Sequence, residues 1–240
     1  MGQESDWLGY NRVHVALYRM AVRKRQLIRR GANMFHFAID PSTFNKLADA
    51  VVLRIRIHTD RSDLRQNEYY DIHLYTKSKK NWIEPSSPAD VIAIPVESVQ
   101  FPRTSFITYF NKVNLLPPKI QLHVGEDLFV MGYPLGVYDD IHNLPIVRNG
   151  LIASAYSVPY RNEAYFLVDS YLEEGASGSP VMTKFKSTWR TKDGTEPPKG
   201  FSFYLLGIIS STFRVPEGRI PTGLNASNFA EIIENMVTNV

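Results

Sequence analysis

Hydrophobic and polar residues alternate with a period of two in Val52-Leu53-Arg54-Ile55-Arg56-Ile57-His58 and again in Asp71-Ile72-His73-Leu74-Tyr75, which predicts half-buried strands. Shorter β-rich runs follow at 91–96, 105–110, 127–132, 146–156, 164–170, 179–184 and 203–212. Turn clusters separate them at Pro85–Pro88, Pro117-Pro118, Gly132–Gly136 and Lys192–Gly200, and the stretch from Lys184 to Gly200 reads as a surface hairpin or loop. The period changes at both ends of the chain. Asn228 with Glu231 makes a capping pattern, and Phe229, Ile232, Ile233 and Met236 fall on one face of a C-terminal helix. Residues 11–30 read as a basic amphipathic helix through Val13, Leu17, Met20, Leu27 and Ile28, with Lys24 interrupting the stripe. Many short strands without intervening helices argue for antiparallel barrels or a sandwich, against a parallel α/β sheet.

Composition narrows this. The chain has 240 residues, 44% hydrophobic, enough for one large domain or two small ones with a packed core and too apolar for a disordered chain. It contains no cysteine, which excludes a disulfide framework, a thiolate metal site and a cysteine nucleophile. No stretch approaches the roughly 20 apolar residues of a membrane-spanning helix. Acidic residues stand where an export signal has its positive region, so the sequence predicts neither a signal peptide nor a transmembrane helix and, by default, a cytoplasmic location.

The net charge of +3 is a sum of unlike parts. Residues 1–34 carry Arg12, Arg19, Arg23, Lys24, Arg25, Arg29 and Arg30 against Glu4 and Asp6, and the rest of the chain is slightly acidic. Such a patch fits either a solvated helix face or a surface for nucleic acid or anionic membrane, the latter confined to residues 11–30.

The segment Glu174-Gly175-Ala176-Ser177-Gly178-Ser179-Pro180 carries the chemistry. Glycines around a serine allow a tight turn that leaves the hydroxyl uncovered, and they let the amides of Gly175 and Ser177 converge on a developing oxyanion. An ordinary Gly/Ser/Pro turn is the plain alternative, although Gly-x-Ser-Gly-[Ser/Gly]-Pro arises by chance in roughly one chain per thousand. No metal-ligand spacing such as HExxH and no phosphate-cradling glycine loop occurs, so neither a metal nor another cofactor is expected.

The run from Leu167 to Val181, with Asp169 and then the Ser177 motif, resembles the trypsin-like serine peptidases, particularly the cysteine-free bacterial group with HtrA-type protease domains. Gly125-Glu126 through Gly132-Tyr133-Pro134-Leu135-Gly136 is similar to that family's strand and turn. Ile146 to Ile152 resembles the strand that follows, and Leu205 to Ser210 the strand after the nucleophile. The likeness covers roughly residues 50–238. It implies an all-β fold of two six-stranded antiparallel barrels with a C-terminal helix. On that reading barrel 1 extends to about residue 115 and barrel 2 covers about 120–238. Residues 1–45 form an atypical basic segment, a diverged or frameshifted part of the first barrel, and no PDZ-like extension follows.

The resemblance also assigns roles. Ala89-Asp90-Val91-Ile92-Ala93 looks like the family's Asp-before-strand signature, which makes Asp90 the triad acid. His36 stands at the family's distance before Asp90 and becomes the base, although no Thr-Asn precedes it. His58 and His73, on the polar side of alternating strands, read as surface residues, and Asp169 as a structural acceptor near the nucleophile loop. The pocket floor falls on Tyr171, six residues before Ser177, where no carboxylate favours lysine or arginine. The implied activity is serine-type endopeptidase action on protein or peptide substrates. The alternative is a catalytically impaired, protease-like binding protein.

Overall fold

The alternating run at the start becomes β1 (Val52–His58), which pairs antiparallel with β2 (Asn67–His73), Val52 opposite His73 and His58 opposite Asn67. Side-chain acceptors shape the connection. Asp60 takes hydrogen bonds from the amide and hydroxyl of Ser62, and Asp63 takes a two-pronged contact from Arg65 at 2.8 and 3.0 Å. The Arg65 bonds hold the Asp63 carboxyl down at about 2. In this computed structural model the described residues are 52–73, 75–76, 79–93, 104–105, 110, 112–133, 139–173, 176–194, 202–214 and 221–238.

Two very short strands follow, β3 (Tyr75–Thr76) and β4 (Lys79–Lys80), which pair with each other. An isolated bridge joins Ile83 to Ala93, and a 3₁₀ turn at Lys112–Asn114 leads into the second half.

Six strands there close a barrel: β5 (Asp127–Gly132), β6 (Ile146–Ile152), β7 (Tyr165–Asp169), β8 (Pro180–Thr183), β9 (Leu205–Arg214) and β10 (Pro221–Phe229). Around the barrel the order is β10-β7-β6-β5-β8-β9, all neighbours antiparallel. Alternation sorts the side chains. Leu128, Val130, Phe166, Val168 and Val181 join Leu206 and Ile209 in one buried cluster, sealed by Tyr156, Trp189 and Tyr204. Phe129 and Met131, one residue out of phase on β5, pack instead against a second cluster containing Met182, Leu205 and Ile208. Full burial of each such aliphatic side chain contributes about 1.5–3 kcal/mol.

The second cluster is covered by α1 (Ala230–Thr238), which continues directly from β10 and buries Ala230, Ile233 and Met236 along one face. Val91 and Ala93 complete the cluster. The helix begins one residue later than the capping pattern predicts. Asn228 lies in β10, paired with Tyr165 and Ile208, because the ladder claims its backbone.

The described residues are thus mostly β, with one closed six-stranded antiparallel barrel and one C-terminal α-helix. Ahead of the barrel they form two-stranded pairs and not a second closed barrel. The expected helix at 11–30 lies outside the described residues, as do 94–96 and 106–109 of two expected strands. Residues 91–93 are extended only as far as the bridge at Ala93.

Candidate functional site

Ser177 occupies the apex of a turn whose geometry follows from its neighbours. The Ser179 amide donates to the Ala176 carbonyl at 3.0 Å, so Ser177 and Gly178 are the central pair of a four-residue turn. Gly178 takes φ +90, the left-handed value that the third position of a type II turn requires and that glycine adopts without steric cost. Pro180, at the first position of β8, costs no needed donor there. One turn upstream, the Ala176 amide donates to the Glu173 carbonyl at 3.1 Å.

The turn is stitched to β9. Gly178 donates to the Ile209 carbonyl at 2.7 Å, and Ile209 returns its amide to the Ser179 carbonyl at 2.9 Å. On its other side β9 is out of step with β10: Ala226 faces Ser211 but Ser227 faces Ile209, which makes Ser210 the extra residue of a bulge. Bulges re-aim the groups they carry. The Ser210 carbonyl accepts the Ser177 hydroxyl at 3.4 Å, longer than an ordinary O–H···O bond, so the proton is weakly held. Ser177 is half-buried, and among the described residues its own amide makes no hydrogen bond. A loosely restrained hydroxyl beside an unspent amide is suited to nucleophilic attack with stabilisation of the resulting oxyanion.

Asp90 is half-buried, next to Val91 of the cluster that also holds Ile208 of β9. Tyr171 is 59% exposed, after the end of β7. Asp169 is exposed at the β7 terminus, and it is its neighbour Ser170 that ties the chain back, donating to the Asn149 carbonyl at 2.7 Å. His36 and Gly175 lie outside the described residues. Among the described residues no histidine hydrogen-bonds Ser177.

Two groupings escaped the sequence reading. His58 is half-buried and donates Nε2–H to the His142 carbonyl at 2.6 Å, a contact across 84 positions that corrects its reading as a surface residue. His142 in turn directs Nδ1–H to Asp139 Oδ2 at 2.8 Å. Asp139 Oδ1 also accepts the amides of His142 and Ile141, and these donors, the His142 amide foremost, hold its carboxyl below the ordinary range. The Asp-x-x-His spacing was the only available signal. The second grouping, Tyr156 with Glu231, joins residues 75 positions apart and left no local trace.

The described residues contain no group of three or more His, Asp or Glu able to hold a metal ion, and no helix long and apolar enough to cross a membrane. No family model matches the chain, and no curated protein matches it.

Proposed function

We propose that this protein is a serine endopeptidase that cleaves peptide bonds through an acyl-enzyme at Ser177, with a complete fold of two trypsin-like barrels. The observation that carries this reading is the placement of Ser177: apex of a glycine-shaped turn, amide unspent, hydroxyl held only at 3.4 Å by a bulged carbonyl. That arrangement coincides with the Gly-x-Ser-Gly-x-Pro motif.

In this reading Ser177 Oγ attacks the peptide carbonyl carbon as His36 takes the hydroxyl proton, and Asp90 orients the imidazole. The amides of Gly175 and Ser177 receive the oxyanion. The proton then passes to the departing amine, the C–N bond breaks, and water releases the acyl group by the reverse sequence of proton transfers. Tyr171 borders the side-chain pocket, and the 203–212 segment provides a strand for the extended substrate to pair with.

A peptide-binding module of the same architecture without turnover is the rival, favoured by a Ser177 hydroxyl that bonds a carbonyl and no described imidazole. Fluorogenic peptide libraries incubated with the full-length protein and with Ser177→Ala, His36→Ala and Asp90→Asn separate the two. The enzyme reading predicts hydrolysis that Ser177→Ala abolishes and both other variants depress by orders of magnitude. Binding without hydrolysis by the unaltered protein contradicts it.

A further inference from the structure

The strand ends divide the barrel into two mouths. The Ser177 turn precedes β8 and lies beside the end of β5 and the start of β6. A groove of about 1310 Å³ opens at the other mouth, where β6 and β10 end and β7 begins. Leu116, Pro117, Pro118, Tyr156, Phe229 and Ile232 are among the residues that line it. The volume exceeds that of ordinary small-molecule pockets, roughly 300–1,000 Å³. Proline walls lack amide donors and hold their shape, which suits an extended chain segment.

Among the described residues, one acid of the groove has no cationic partner. Its charged residues are Glu84, Lys112, Lys192, Glu231 and Glu234. Glu84 pairs with Lys80 at 3.2 Å, and Glu234 pairs with Lys112 at 3.0 Å. Lys192 forms no ion pair with Glu231. Among the described residues the carboxylate of Glu231 has no partner but its own backbone amide and the Tyr156 hydroxyl, 3.3 Å from each of its oxygens. That phenol has a single proton and a nearer acceptor, the Leu206 carbonyl at 3.0 Å. Glu231 is open to the groove, yet the protein around it strips enough water to raise its pKa. Burial, and after it the Glu231 charge, raises the Tyr156 hydroxyl well above the ordinary value. An accessible carboxylate in a groove, with no cation paired to it among the described residues, is a ready acceptor for an arriving ammonium or guanidinium group.

We infer that this groove docks an extended peptide segment that sets a lysine or arginine on Glu231 and apolar residues along the proline-lined wall. The site is distinct from the Ser177 turn, and its occupancy does not depend on Ser177 chemistry.

The test uses the full-length protein in a Ser177→Ala background, so that peptides stay intact and failure at the groove is separable from failure of the peptidase reading. Fluorescent hexapeptides with one fixed lysine among proline and leucine positions are compared with a matched set carrying norleucine, by anisotropy. The lysine set should bind roughly tenfold or more tightly. Glu231→Gln should erase that preference, whereas Glu234→Gln, whose partner is Lys112, should retain it within about twofold. Equal binding of the two sets, a lysine preference indifferent to Glu231→Gln, or no binding of either set overturns the inference.

Discussion

The carbonyl of Ser210, displaced from the regular ladder of β9, lies 3.4 Å from the hydroxyl of Ser177. The nucleophile turn is therefore positioned by a strand more than thirty residues later, through contacts that depend on Gly178 keeping its left-handed backbone. A side chain there raises the backbone energy by about 1–2 kcal/mol. Gly178→Ala should lower the melting temperature by a few degrees and reduce Ser177 reactivity more than it reduces stability. Calorimetry beside labelling by a serine-directed probe measures both.

Gly132 ends β5 directly against Ser179. A Cβ built on Gly132 would overlap Ser179 Oγ and stand 3.2 Å from Ser179 Cβ. Gly132→Ala should destabilise by about 1–3 kcal/mol, the usual cost of overpacking. Because the conflict is with one side chain, Ser179→Gly should be less harmful in the Gly132→Ala protein than in the unaltered one. A double-mutant cycle in urea reads this as a coupling. Strict additivity would show that the two residues do not meet as described.

The helix α1 holds the outer cluster together. Ile233 is 7% exposed and packs in the cluster with Leu205, Ile208 and Val91. Ile233→Ala should cost about 2–5 kcal/mol in equilibrium unfolding through lost transfer energy and a residual cavity. The exposed Val113 at the 3₁₀ turn, changed to alanine, should cost far less.

Glu231 gives a pH signature. Loss of water to the protein packed around it raises its carboxyl, an effect that hydrogen bonds from its own amide and from Tyr156 only partly offset. The native protein then keeps this proton at a pH where the unfolded chain has released it. The associated stability is complete below the ordinary glutamate value and is lost as pH rises through the elevated one. Glu231→Gln carries no such charge. Its melting temperature should therefore gain on that of the unaltered protein between about pH 4 and about pH 7. A constant difference across that range contradicts the assignment.

Local rules made part of this architecture legible and non-local ones hid the rest. β5 falls where its apolar run ends at Gly132, and β6 to β9 lie within a few residues of their β-rich runs, because alternation and turn residues act over short spans. The strand β10 was invisible. Its segment, Pro-Thr-Gly-Leu-Asn-Ala-Ser-Asn-Phe, is polar yet buried at Asn225, Ser227 and Asn228. Asn225 is affordable there because its amide donates to the Ser170 and Gly223 carbonyls at 2.8 and 2.9 Å while its oxygen accepts from Thr212 at 2.8 Å. Polarity patterning reads such residues as solvent-facing. The Ser177 turn was legible because its glycine requirement is local. The Ser210 bulge and the His58–His142 contact are set by register and by partners far along the chain, which no short motif records.

The proposed peptidase chemistry requires Ser177 to be an activated nucleophile. A fluorophosphonate probe reacted with the native full-length protein, followed by mass-spectrometric mapping of the adduct, tests it most directly. An activated Ser177 gives a single adduct, absent from heat-unfolded protein and from Ser177→Ala, and strongly reduced in His36→Ala. No adduct on Ser177 in the folded protein, or labelling unchanged by His36→Ala, would contradict it.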